Sequence, residues 1–490
     1  MAALLAGSGC VTFPRAPDEG GPPWIEVNTP HFALATDMDR ESAEELARTL
    51  ESWWAAMGIA LPAVGGQAAA ADGQSDPVLA IALRNGRERD AVHYRIGGIF
   101  DALPLLPPVV SIGELEDQHD RETLKHELAH AMLYKRLPRV PHWLTEGMAV
   151  YLQTAEVDRK NRVVQWGYWN AGAMRDLLEW GDTVTTHRLL DTTRWTVGND
   201  IGAMELYAGL LVHMLINRRP QELDCYVLRL AKEIDPDAAL ACFSGRDKWD
   251  AELRDYAYSW SFARKTVAFD PPDSNARTAP LPNARVHATL ALLDHIAMFT
   301  VLPQFRDERV ARARTSLARA LELDPHDDLA LLLTLSQTKV DERRHAEITK
   351  SLVADHPGDW RTWVARAETP GLPAAEESQA IEQAWRLAPQ QTEVIRLAGF
   401  QALRQKRWAD ARALGVKAWL GGADDRENRL SLFLASALLG ACWEAQKWSR
   451  SPSDSEAFNK ELAKAQKQLG LPPAPCPAAP SSASSPSARP

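Results

Sequence analysis

Residues 121–152 read RETLKHELAHAMLYKRLPRVPHWLTEGMAVYL, and the rest of the chain is organised around this stretch. His126, Glu127 and His130 form an H-E-x-x-H pattern. In an α-helix an i, i+4 separation stacks the two imidazoles on one face, one turn apart, which is the spacing a single zinc ion needs. Leu124, Leu128, Ala131 and Met132 take the adjoining positions, so the apolar side of this helix should enter a core while the histidines face a cleft. Asp120 is the start signal and Pro138 the stop. A catalytic zinc takes three protein ligands and leaves a position for water, so a third ligand must come from elsewhere. Glu146 is the candidate, because it stands in W-L-T-E-G-M-A, apolar on nearly every side. A carboxylate there is costly unless something pairs with it or coordinates it. A second helix should begin after Pro141, folded back across the first.

H-E-L-A-H followed by W-L-T-E-G-M-A resembles the H-E-x-x-H…W-L-x-E-G-x-A pattern of the gluzincin zinc metallopeptidases. Within that clan the likeness is to the peptidase MA-like group found in bacterial envelope proteins with helical repeats, and it covers roughly the first half of the chain. The resemblance implies zinc held by His126, His130 and Glu146, with Glu127 as general base. Tyr207, 61 residues after Glu146, precedes the apolar run A-G-L-L-V-H-M-L. It resembles the tyrosine of M1-type gluzincins whose phenol reaches the oxyanion; a buried tyrosine with a hydrogen-bonded hydroxyl is the other reading. His142 and His213 are read as supporting or surface residues. Gly202-Ala203-Met204-Glu205 looks like the G-x-M-E-N amine-binding motif of M1 aminopeptidases. It follows the zinc helix instead of preceding it, and residue 206 is Leu, so cleavage of internal peptide bonds is expected.

The 490 residues carry 45% hydrophobic and 24% charged residues, the composition of a globular protein with room for about three domains. A net charge of −10 argues against nucleic acid as main partner, since phosphate neutralisation needs clustered Lys and Arg. No run of apolar residues is long enough to span a bilayer. MAALLAGSGC at the N-terminus resembles the end of a bacterial lipoprotein signal, with Cys10 as the lipidated residue. It lacks a basic residue before a short apolar run and has Gly7 where Leu is preferred; a start placed too late would account for both. This implies a lipid-anchored protein of the bacterial envelope facing the periplasm. Cys225, Cys242, Cys442 and Cys476 match no metal or disulfide framework, and Cys225 and Cys242 read as two buried thiols in preference to a bridge.

The expected fold class is α+β: a small mixed sheet with zinc helices, followed by an all-α helical-repeat domain. WIEVNTPHFALATD reads as two strands around Asn28-Thr29-Pro30, RESAEELARTLESWWAAM as a helix and DPVLAIALRN as a buried strand. His31 is read as structural. IFDALPLLPPVVSIG is apolar and proline-interrupted, which suits an edge strand, and Val109–Ile112 is the segment expected to hold a substrate backbone by strand addition. AGAMRDLLEWGD and the stretch 200–217 read as further helices. The Pro-, Asn- and Asp-rich run from Phe269 to Arg285 reads as a linker. Beyond it Pro325, Pro357 and Pro389 recur at intervals of 32 residues, each ending an amphipathic helix, and QKRWADARAL adds a further phrase typical of tetratricopeptide (TPR) repeats. The domains expected are a truncated lipoprotein signal and tether over 1–22, a metallopeptidase domain over 23–268, a linker over 269–285, a TPR-like domain over 286–468 and a disordered tail over 469–490.

The functional expectation is a zinc-dependent peptidase acting on peptide or protein substrates, with repeats that recruit a protein partner. Two alternatives stand beside it: an envelope assembly scaffold whose zinc fold is structural or inactive, and zinc-dependent hydrolysis of a non-peptide bond.

Overall fold

A computed structural model describes residues 13–61, 76–93, 98–112, 118–137, 139–169, 184–190, 201–230, 232, 236–259, 264–272, 275–298, 303–337, 340–423, 426–449, 455–468, 470 and 476. Cys10, the expected helix over 171–182 and most of the tail lie outside these residues. The architecture is mixed α+β, and the chain divides into two compact units, Met1–Lys339 and Val340–Pro490.

The first unit opens with the expected hairpin, β1 (Ile25–Asn28) and β2 (Phe32–Thr36), closed by a hydrogen bond from Thr29 N–H to the Phe32 carbonyl. Helix α1 (Arg40–Ala60) starts at Asp39, whose carboxylate accepts the Ser42 N–H at 3.0 Å, a side-chain cap for an otherwise unpaired donor. β3 (Val78–Ala82) is buried at every position, as a continuous apolar run should be in a strand covered on both faces. A short helix α2 (Gly86–His93) leads to β4 (Gly98–Asp101) and β5 (Val109–Ile112). The six-stranded sheet runs β4-β5-β3-β2-β1-β9, with β2, β3 and β5 parallel to one another and the β4–β5, β2–β1 and β1–β9 pairs antiparallel.

Helix α3 (Gln118–Arg136) carries the H-E-x-x-H stretch and packs on α1, β4 and β5. Leu124, Leu128, Ala131 and Met132 are fully buried, as their spacing predicts. Burying a Leu- or Met-sized side chain is worth about 1.5–3 kcal/mol, so this one face ties the histidine-bearing helix firmly to the sheet. Helix α4 (His142–Leu152) begins directly after Pro141 and returns across α3. It also lies against α5 (Ile201–Arg218), and two glycines allow that approach. A Cβ on Gly147 would come within 2.5 Å of the Ala208 carbonyl oxygen, and one on Gly209 within 2.4 Å of a Val150 methyl. Helices α6 (Pro220–Leu230) and α7 (Trp249–Tyr258) complete the helical layer, and β6 (Glu156–Asp158), β7 (Val163–Trp166) and β8 (Lys265–Ala268) form a second, three-stranded sheet.

Four expectations change. Val109–Ile112 is an interior strand paired on both sides; β4 is the edge, because the prolines of IFDALPLLPPVVSIG fall in the connection between the two strands and not in a ladder. The run 269–285 is not free chain: Phe269 is buried, and β9 (Arg277–Pro280) pairs with β1 as the far edge of the main sheet, an edge being where a strand accepts proline. Residues 13–20 are more than a tether, since Asp18 bonds His287 on α8 (Asn283–Ala297) and Arg319 on α9 (Pro303–Leu323). Cys225 and Cys242 form a disulfide, as do Cys442 and Cys476.

Helix α10 (Asp328–Gln337) ends the described part of the first unit. The second unit comprises α11 (Glu342–Asp355), α12 (Trp360–Ala367), α13 (Ala374–Leu387), α14 (Thr392–Arg404), α15 (Trp408–Leu420), α16 (Arg426–Leu438), α17 (Cys442–Ser449) and α18 (Ser455–Gln468). Successive helices from α11 to α17 pack on one another. Pro325, Pro357 and Pro389 stand in the turns after α9, α11 and α13, so each closes a helix as the 32-residue interval predicts.

Candidate metal centre

His126 and His130 face the same way from α3, their ring centroids 4.6 Å apart. Glu146, one turn into α4, brings Oε2 to 3.3 Å from His126 Nε2 and 3.4 Å from His130 Nε2. The three donor atoms all lie within 4.8 Å of one another. A tetrahedron built on metal–ligand bonds of about 2.0–2.1 Å has edges of about 3.3 Å, so the two N···O separations fit a common ion. The donor set, two imidazoles and one carboxylate, suits zinc among other divalent metals.

Supporting contacts surround these groups. The Gln153 side-chain oxygen lies 3.0 Å from His126 Nδ1 and takes its proton in the tautomer that leaves Nε2 for a metal. His142 Nδ1 is 3.4 Å from Glu146 Oε1, the oxygen turned away from His126 and His130. Glu127 points to the sheet edge, where its Oε2 accepts the Phe100 N–H at 2.7 Å. The Phe100 ring lies along His130 with centroids 6.3 Å apart.

The electrostatics are those of a tightly packed charged cluster. Burial pushes the Glu146 carboxyl up, but hydrogen bonds from His126 and His130 outweigh it and hold the group well below the usual carboxylate range. Burial pushes His126 down, yet its bond to Glu146 and the charges of Glu127, Glu146 and Glu205 carry it up to about 9. Glu205 on α5 is raised by burial and by the charge of Glu146, partly offset by His126 and His130. The residue set aside as a misplaced motif therefore stands in the field of the centre. Tyr207, two residues on and about 200° around the helix, is buried in the hydrophobic core.

His213 and His31 are structural. His213 is fully buried, with Nε2 donating to the Gly167 carbonyl at 2.8 Å and Nδ1 at 2.5 Å from the Tyr256 hydroxyl. His31 is held by Glu51 through both its backbone N–H and Nδ1. Gln153, Phe100 and Gly98 are absent from the sequence reading, which takes His142 only as a supporting or surface residue. A helical repeat marks two of them: 142, 146 and 153 are spaced by four and seven, one face of α4. The β4 contacts have no such local signal. Comparisons of the chain with models of protein families, with curated proteins and with solved structures find no match.

Proposed function

We propose that the protein is a zinc-dependent peptidase of gluzincin type, tethered to a bacterial envelope, with TPR-like helices that recruit a partner or substrate. The observation that carries this reading is the convergence of His126 Nε2, His130 Nε2 and Glu146 Oε2 at tetrahedral spacing, with Glu127 beside them on the same helix and not among the three. Zinc bound there would lower the pKa of a water to about 7 and polarise a substrate carbonyl. Glu127 would take the proton of the attacking water and deliver it to the leaving amine. Gln153 and His142 would hold the ligand side chains in register. Tyr207 is the oxyanion partner the resemblance implies.

The envelope assignment, with lipid on Cys10, draws support from the two disulfides, since such bonds persist in oxidising compartments. Partner recruitment draws support from a groove of about 1280 Å3 within the second unit, lined by residues of α14, α16 and α18 among others.

Metal content and turnover of a peptide library by four variants test the mechanism. Glu127→Gln should keep zinc and lose about 10²–10⁴-fold in turnover, the usual worth of a general base. His126→Ala and Glu146→Ala should lose zinc and activity together. Tyr207→Phe should keep zinc and lose about 10²–10³-fold if its hydroxyl meets the oxyanion. A fully active Glu127→Gln protein would sink the mechanism, and a wild type that leaves every peptide intact would turn the reading to an envelope scaffold.

A further inference from the structure

Glu127 is gripped by β4 in two ways that do not depend on each other. The Phe100 N–H, which points off the sheet edge and not toward β5, donates to Glu127 Oε2 at 2.7 Å. Gly98, two residues earlier on the same side of the strand, lies against the Glu127 side chain: a Cβ there would stand 2.9 Å from Glu127 Cγ and 3.2 Å from the Ser111 carbonyl oxygen. A contact of 2.9 Å is closer than Cβ atoms tolerate, so any side chain at position 98 must move the glutamate. Oε1 accepts no hydrogen bond among the described residues.

We propose that β4 positions Glu127 for catalysis, with Gly98 and the Phe100 amide acting as positioning groups that hold one carboxylate oxygen and leave the other facing the metal site. This rests on the peptidase reading above. A general base must lie within about 3 Å of the proton it takes, and a misplacement near 1 Å can cost 10²-fold, so a strand that fixes the side chain from both its methylene and its oxygen governs the turnover step. The same edge offers a rival use. If the Phe100 N–H instead pairs with a substrate strand, its loss weakens binding and leaves turnover alone.

The experiment is a double-mutant cycle on the full, zinc-loaded chain. Gly98→Ala should lower kcat by about 10–100-fold with KM and zinc content unchanged. In a Glu127→Ala background, which lacks the Cγ that Gly98 touches, the same substitution should change the residual kcat less than about twofold, and this non-additivity is the signature of direct coupling. The thermal midpoint of the metal-free chain should show the same coupling, with Gly98→Ala costly beside Glu127 and nearly free in the Glu127→Ala background. Should Gly98→Ala fail to fold or to hold zinc, the comparison of Phe100→Pro with Phe100→Ala supplies the answer, because both lose the ring and only proline loses the amide hydrogen, at an edge position that accepts proline. Proline should then lower kcat well below the alanine variant at equal zinc. Additive effects, or a rise in KM with kcat intact, overturn the proposal while leaving the peptidase reading in place. An inactive wild type, or a fully active Glu127→Gln, removes both.

Discussion

Glu146 is a carboxylate in an apolar helix, and the histidines of α3 keep it charged. Oε2 faces His126 and His130, Oε1 faces His142, and the hydrogen bonds outweigh the burial that would otherwise neutralise it. Behind His126 the Gln153 oxygen sets which nitrogen is free. Gln153→Ala should leave the fold intact and raise the zinc dissociation constant about 10–100-fold, the usual effect of removing a group that orients a ligand. Competition with a chromophoric chelator would measure it, and unchanged affinity would mean that packing alone sets the His126 ring. The cluster of His126, His130 and Glu146 was legible in the sequence because i, i+4 spacing and a carboxylate among apolar residues each violate an ordinary pattern. Gln153 was not, since an amide near a helix end breaks no rule; only the four-and-seven spacing from Glu146 places it. Glu205 was read by motif, and the motif pointed elsewhere.

At the scale of elements, the site depends on how closely α4 and α5 approach. Gly147 follows Glu146, and its missing Cβ is the space filled by the Ala208 carbonyl and Val212. Gly147→Ala would drive a methyl to 2.5 Å from backbone, which no side-chain rotation relieves, so α4 must shift and carry Glu146 with it. The expected cost is about 1–3 kcal/mol of stability together with weaker zinc binding, read as a lower thermal midpoint and a lower metal content after dialysis. A stable, fully loaded Gly147→Ala protein would show that the helices have slack. The glycine was visible in the motif, but its reason was not, because it lies in a partner helix 61 residues away at Ala208. Strand order escaped for a similar cause. Val109–Ile112 and Gly98–Asp101 both read as short strands, and only their pairing decides which one is the edge beside Glu127.

Across the whole chain, the first unit reaches further than its composition suggests. The run 269–285 is dense in Pro and Asn, residues that linkers and edge strands both tolerate, so local pattern could not separate the two. The deciding contact is non-local: β9 pairs residue for residue with β1, Ile25 opposite Pro280, and Thr278 bonds Glu44 on α1 at 2.7 Å. Asp18 is likewise held by His287 and Arg319. Ending the chain at Phe269 would strip β9 from β1, expose a hydrogen-bonding edge and release residues 13–20 from their partners, conditions that favour aggregation. Ending it at Lys339 removes none of these contacts and follows the division between the two units. The shorter chain should therefore aggregate, while the 1–339 chain should run as a folded monomer, bind one zinc and cleave short peptides at the full-length rate. It should lose only what the second unit supplies, association with a partner or recognition of a large substrate. Size exclusion, zinc stoichiometry and peptide turnover on the two truncations decide the matter. A soluble, zinc-loaded chain ending at Phe269 would show that β9 and the helices after it are dispensable to the metal centre.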